Sequence, residues 1–154
     1  MTIAPAIRFL PFAGLSAREF HDILKLRFDV FVLEQQSLYP EIDGNDITAT
    51  HMVVLTDGNL IGVVRIMGLE GGGPVSIGRV AVIAEHRGTG LGRQMISAAL
   101  TYINETAPGR DVSLGAQLHL EGFYGAFGFE RTTDVYDDGG IPHVDMTRRA
   151  DMVS

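Results

Sequence analysis

The order in which apolar runs of period two and period 3.6 follow one another predicts an α/β fold: one mixed, mostly antiparallel sheet with helices on both faces. Three observations carry that expectation. β-Branched runs bounded by Gly, Pro and Asn recur along the chain, two long stretches space their apolar residues as helices do, and the elements read β-α-β-β-β-α-β-α-β-β. Neither a linker nor a repeat divides the sequence, so residues 1–154 are expected to form a single domain with a substantial core.

Ala6 to Phe12 reads as the first strand, ended by Pro11 and Gly14. Ser16 and Glu19 then form a capping box that opens a long helix with Phe20, Leu24, Phe28 and Phe31 along one face. Ser37 to Thr48 is turn-rich and reads as a surface loop carrying Glu41, Asp43 and Asp46. Two strands follow, His51–Leu55 and Leu60–Met67, joined at Asp57-Gly58-Asn59, a hairpin signal. Gly71-Gly72-Gly73-Pro74 turns the chain into the strand Val75–Val82. Leu91, Met95, Ala98, Ala99, Tyr102 and Ile103 mark a second amphipathic helix, broken at Pro108-Gly109. Val112–Ala116 is a short buried strand, and a helix from about Leu118 to Phe127 ends at Gly128, a C′ glycine. The last strands are Phe129–Tyr136 and His143–Thr147, on either side of Asp137-Asp138-Gly139-Gly140.

The most informative segment is Arg87-Gly88-Thr89-Gly90-Leu91-Gly92, between a Val-rich strand and a helix. Alternate glycines at a helix start expose several backbone N–H groups where the helix dipole is positive, which makes a cradle for phosphate oxygens. The spacing is not Gly-x-Gly-x-x-Gly, and no acidic residue ends a following strand, which argues against a dinucleotide site. No Gly-Lys-Ser/Thr follows, and Lys25 is the only lysine, which excludes a Walker-type site.

Arg-x-x-Gly-x-Gly after such a strand resembles the acyl-CoA motif of the GNAT N-acetyltransferase superfamily. Phe123-Tyr124-Gly125-Ala126-Phe127-Gly128-Phe129 resembles that superfamily's second acyl-CoA motif. The stretches Leu26–Gln35, Tyr39–Gly44, Leu114–His119 and Gly140–His143 are similar to its ElaA-like branch, so the resemblance spans roughly residues 20–148. It implies a GNAT-like domain whose fourth and fifth strands splay into a cofactor cleft. It also implies acetyl-CoA as co-substrate, with Arg87, Gly88, Thr89, Gly90, Leu91, Gly92 and Arg93 around its pyrophosphate. The backbone of Val80, Ala81 and Val82 would meet the pantetheine arm by strand-like hydrogen bonds. Gln117 stands where many relatives carry an asparagine near the cofactor.

Acetyl transfer to an amine requires a polarised thioester carbonyl, a deprotonated amine and a protonated leaving thiolate. The resemblance makes Tyr124 the general acid, and its place in the helical stripe Leu120, Tyr124, Phe127 is also that of a packing residue. Base candidates are Glu41, Asp43 and His119; Glu34 and Asp46 join the first two on the acceptor side, where acidic residues favour a cationic amine. His51 is a weaker base candidate, and His143, in a terminal strand beside Pro142, could reach the cleft but reads as structural. No metal-ligand spacing occurs, and no metal is expected.

Bulk properties narrow the field further. A net charge of −7 and a pI near 5.1 argue against nucleic acid as a partner. No apolar run reaches the roughly 18 residues of a membrane span, and no secretory signal precedes the domain. The chain has no cysteine, which rules out an acyl-cysteine intermediate and suits a cytoplasmic protein. The expected activity is therefore direct N-acetyl transfer from acetyl-CoA to a small-molecule or peptide amine in a ternary complex, with a homodimer among the possible assemblies. The alternatives are a non-catalytic acyl-CoA-binding regulatory module and an acyl-homoserine-lactone-type synthase. The first would have no use for the Tyr124 hydroxyl.

Overall fold

A computed structural model of the chain describes residues 4–150. Its strands are β1 (Ala6–Pro11), β2 (Thr50–Thr56), β3 (Asn59–Met67), β4 (Val75–Val82), β5 (Val112–Gln117), β6 (Glu130–Arg131), β7 (Tyr136–Asp138) and β8 (Ile141–Arg148). Its α-helices are α1 (Ala17–Arg27), α2 (Leu91–Thr106) and α3 (Glu121–Gly125). One sheet runs in the order β1-β2-β3-β4-β5-β8-β6, with β7 also paired to β8. Every pair is antiparallel except β4 with β5, which is parallel. The expected α/β class and mostly antiparallel sheet are what the chain adopts.

Strand alternation sorts the core onto two faces. Val53, Val63 and Ala81 pack with Ile23, Leu26 and Val30 of the first helical segment. Met52, Val54, Val64 and Ile66 face the other way, against Leu91, Met95, Ile96 and Ala99 of α2. Gly62 lets α2 lie close, because a Cβ there would sit 2.9 Å from Met95 Sδ. No helix among the described residues is long and apolar enough to cross a membrane.

The capping box forms as expected: Glu19 N–H donates to Ser16 Oγ at 3.0 Å, and Ser16 N–H donates to Glu19 Oε1 at 2.8 Å. The inward face of α1 differs from expectation. Ile23, Leu26, Arg27 and Val30 are buried, whereas Phe28 is 47% exposed. The helix then changes to π geometry over Phe28–Glu34, with Gln35 N–H donating to Val30 O, which rotates the residues beyond Arg27 off the α spacing. The acidic segment lies at the surface as expected, but its carboxylates are not all solvated, since Glu41 and Asp46 are buried.

Two further elements depart from the sequence reading. The expected strand 129–136 is two short pieces, β6 and β7, both paired to β8. Between them Thr133 Oγ1 accepts from Asp145 N–H at 3.0 Å, a side-chain bond replacing a ladder bond. The expected helix 118–127 is a 3-10 turn, Leu118–Leu120, followed by the five residues of α3.

A serine joins the loop after the π turn to the β7–β8 hairpin. Ser37 Oγ donates to Gly139 O at 2.6 Å, and a Cβ at Gly139 (φ +62) would lie 2.1 Å from that oxygen. Gly139→Ala should therefore be costlier than Gly58→Ala, where φ is +77 but nothing lies within 4 Å. Left-handed strain alone costs about 1–2 kcal/mol, and thermal denaturation should show a larger loss for Gly139→Ala, by roughly 4 °C or more. Equal losses would mean that the clasp contributes nothing.

Candidate functional site

β4 and β5 pair at only two positions, Val75 with Val112 and Ser76 with Ser113, and then diverge. From Ile77 onward the β4 backbone has no strand on that side, and the gap opens into a cleft of about 830 Å³. Its other edge is irregular too. Gly78 pairs with Arg65 and Ala81 with Val63, so Arg79 and Val80 together face Val64 in a β-bulge. Arg79 adopts φ +50 there, a left-handed conformation in a residue that is not glycine. Val80, Ala81 and Val82 all line the cleft, on the backbone edge that a second extended chain can meet.

At the end of β4 the glycine loop takes the shape its sequence requires. Gly88 and Gly90 have φ +73 and +86, and space around both is open. Gly90 is the N-cap of α2 and offers no side chain, so the first-turn N–H groups of Leu91, Gly92 and Arg93 point outward. Thr89 Oγ1 donates to His86 O at 2.7 Å and steadies the turn. The cradle fits a pyrophosphate in chemistry and in room.

The two arginines of the loop are differently employed. Arg87 forms a bidentate pair with Glu34, and its Nε donates to Val82 O at 3.0 Å. It ties the π turn to the end of β4. The Arg93 guanidinium lies 6.0 Å over the Phe127 ring and stays exposed at the mouth of the cradle. Gln117, at the end of β5, donates to Gln35 Oε1 at 3.1 Å and so bridges the cleft.

Tyr124 lines the cleft from the α3 side. A Schellman motif places it there: Phe129 N–H donates to Tyr124 O and Gly128 N–H to Gly125 O, with Gly128 at φ +92. Phe129 then packs edge-on to the Tyr124 ring, with centroids 6.0 Å apart. Burial, with no hydrogen bond to a neighbouring residue contributing, pushes the Tyr124 hydroxyl up to about 12. It is a proton donor at every physiological pH.

The acidic segment meets three arginines from distant parts of the chain. Arg27 Nε reaches Glu41 Oε1 at 2.5 Å and its Nη1 reaches Asp46 Oδ1 at 2.7 Å. Arg65 grips Asp43 with two bonds of 2.9 Å, and Arg79 Nε lies 2.8 Å from Glu41 Oε2. Tyr39 adds a hydroxyl to Glu41 Oε2 at 2.7 Å, beneath the Arg79 guanidinium. Arg65 holds the Asp43 carboxyl far below its ordinary value. Burial would raise Asp46, but the bonds and charge of Arg27 and then Arg65 bring it below its ordinary value. Glu41 and Asp43 are thus occupied with arginine and do not line the cleft, although both were base candidates. The charge of these carboxylates is cancelled in place by the three arginines. His119 lines the cleft from an exposed position on the 3-10 turn after β5. His51 is buried behind the cluster, where it donates Nε2–H to Asp46 O at 2.8 Å, and burial lowers its pKa.

A family model described as an acetyltransferase (GNAT) domain matches residues 19–150. The chain belongs to the GNAT acetyltransferase family. Protein ElaA of Escherichia coli K12 is 41% identical over 140 residues, covering 87% of this chain and 90% of ElaA. The crystal structure of E. coli ElaA superposes with a TM-score of 0.89 at 37% identity, over 94% of this chain and 99% of that one. An acyl-CoA N-acyltransferase from Pseudomonas aeruginosa does so with the same TM-score at 36% identity and the same coverage. A GNAT family acetyltransferase from Elizabethkingia anophelis, solved with acetyl-CoA bound, shares the fold at TM-score 0.68 and 14% identity, over 94% of this chain and 97% of its own.

In this GNAT domain the β4 edge, Arg87 at the head of the glycine loop, Gln117, Tyr124 and His119 all line one cleft. Sequence reasoning missed Arg65 and Arg79 as wall residues and Gln35 as the partner of Gln117; His143, read as structural though within reach of the cleft, does line it. The only early signal for the arginines was their number against a compact group of carboxylates.

The cluster makes stability depend on acid in two stages. His51 titrates lower when folded than its ordinary 6.5, so the unfolded chain binds the extra proton and stability falls as pH drops below that value. Asp43 and Asp46 also titrate below their ordinary 3.8 when folded; their contribution is complete above that value and is lost beneath it. Urea unfolding across pH should show both declines, and His51→Gln should remove the first. A single decline below about pH 4 would contradict the assignment.

Proposed function

We propose that the protein transfers an acetyl group from acetyl-CoA to a primary amine by direct attack within a ternary complex. The observation that carries this reading is the splay itself. It joins an anion cradle at the start of α2 to a free strand edge on β4 and a permanently protonated phenol on α3. The acetyl-CoA seen in the E. anophelis relative supports the choice of co-substrate.

Each residue then has a task. The N–H groups from Gly88 to Arg93 hold the pyrophosphate, and the β4 backbone at Val80, Ala81 and Val82 aligns the pantetheine amides. Arg87 keeps the loop in register through Glu34 and Val82. Gln117 is placed to hydrogen-bond the arm once it leaves Gln35. Tyr124 hands its proton to the departing sulfur as the carbon–sulfur bond breaks. The amine enters from the opposite side, between the π turn and the β7–β8 hairpin, where Gln35, Ser37, Tyr39, Arg79 and Asp138 line the chamber. A small-molecule amine suits that chamber, because the Ser37–Gly139 clasp closes over it. A cytoplasmic location accords with acyl-CoA use and with the absence of cysteine.

Acetyl-CoA at a hundred times its Kd should stabilise the fold by about 2.7 kcal/mol, read as a rise in unfolding temperature that NAD does not reproduce. An equal rise with NAD, or none with acetyl-CoA, would end the acyltransferase reading. Tyr124→Phe should lower kcat about 10²- to 10⁴-fold in a thiol-release assay with little change in unfolding temperature, because the hydroxyl has no neighbouring hydrogen bond to lose. Unchanged kcat would remove Tyr124 from the chemistry.

A further inference from the structure

We infer that His143 is the general base that takes the proton from the acceptor amine, an inference that rests on the acetyl-transfer reading. His143 lies on β8 opposite Gln117 and lines the cleft. Directly opposed residues of an antiparallel pair share a face. Gln117 turns towards Gln35 at the end of the π turn, so His143 faces the same chamber, while the neighbouring Val144 points to the other face of the sheet, where Tyr124 packs.

The ring is fixed in both tautomer and plane. Nδ1 lies 2.8 Å from Ile141 O, and a carbonyl only accepts, so Nδ1 carries the hydrogen and Nε2 keeps its lone pair. The imidazole stacks on Tyr136, with centroids 6.0 Å apart and planes 26° apart. Tyr136 is itself anchored, its hydroxyl donating to Asp145 Oδ1 at 2.5 Å. That pair needs a glycine beneath it: a Cβ at Gly115 would lie 3.1 Å from the Tyr136 hydroxyl. An oriented imidazole with one nitrogen held and the other free is what a general base requires.

The other basic groups lack this combination. Glu41, Asp43 and Glu34 are paired with arginine, and His51 is buried behind the cluster. His119 has no orienting bond among the described residues. Asp138 lines the same wall, but carboxylates as a class are weaker bases than imidazole by about two pK units. The charged and titratable groups that surround the His143 side of the cleft are Tyr136 and Asp138 of β7, Asp145 of β8, Tyr39, Tyr124, His119, Glu34, Arg87, Arg65 and Arg79.

The protons balance. The amine arrives as an ammonium, and Nε2 of His143 removes one proton and frees the nitrogen lone pair. Nitrogen attacks the thioester carbon, the C–N bond forms, the C–S bond breaks, and sulfur takes the proton of Tyr124. The second proton on nitrogen restores Tyr124, and His143 releases the first to solvent. The products are one amide, one thiol and one proton.

Nitrogen-15 NMR of the full chain at pH 8 tests the geometry without any substrate. The Nδ1–H tautomer is expected for His143, and an Nε2–H tautomer would overturn the proposal. With the primary amine that gives the fastest thiol release, wild-type kcat/KM should fall on the acid side. His143→Gln should lower it about 10²-fold or more at neutral pH, and where the wild-type rate levels off above its acid limb the variant's should go on climbing with pH as solvent deprotonates the amine. The variant should keep the acetyl-CoA-induced rise in unfolding temperature, which shows that it is folded and binds. Wild-type rate and an unchanged acid limb in the variant would overturn His143 as the base. No turnover by the wild type with any amine would instead remove the acetyl-transfer reading, and the role of His143 with it.

Discussion

Everything functional here depends on two parallel strands that pair for two residues and then part. Had β4 and β5 stayed paired, their backbone groups would satisfy one another and the sheet would be closed between Tyr124 and the acceptor chamber. Divergence leaves a row of unpaired N–H and C=O groups, which costs free energy unless water or a ligand meets them. The cleft therefore exists as a strand-shaped vacancy, and an extended amide-bearing chain is its natural occupant. The bulge at Arg79 and Val80 acts on the opposite edge of the same strand, turning its end towards the glycine loop.

The arginine cluster ties β4 to β3, α1 and the 41–46 segment. Three guanidinium groups and three carboxylates come from α1, the 41–46 segment, β3 and β4, and their charges cancel. Burying such a set is expensive, and removing any one member would strand its partner without water. Apolar side chains of similar volume would give equal or greater stability, but they would not fix the angle at which the π turn meets β4. The strained backbone of Arg79 is held by this same set of bonds.

Much of this was legible in the chain, for reasons that can be stated. Local signals survived because their causes are local: the capping box at Ser16, the hairpin at Asp57-Gly58, the positive-φ glycines at 88 and 90, and the Gly128 terminator all act within a few residues. What was not legible required partners from afar. Glu41 and Asp46 looked solvated because the arginines that bury them lie 14 and 19 residues away for Arg27, and further still for Arg79. The inward face of α1 was displaced because a π turn has no signature in apolar spacing. The strand after Phe129 looked continuous because a hydroxyl substituting for a ladder bond leaves the period-two pattern intact. His143 could be placed within reach of the cleft from its strand, but not told from a structural histidine until Ile141, Tyr136 and Gln117 stood around it.

β8 follows every other described strand in the sequence and yet lies inside the sheet, between β5 and β6. A ribosome must therefore deliver the chain past Arg148 before the far half of the sheet can close. Until then β5 presents a bare edge, and the glycine loop is already built beside it. The order of synthesis thus separates the two ends of the cleft in time: the glycine loop and α2 are complete by Thr106, while the chamber beside the β7–β8 hairpin waits for β8 to arrive.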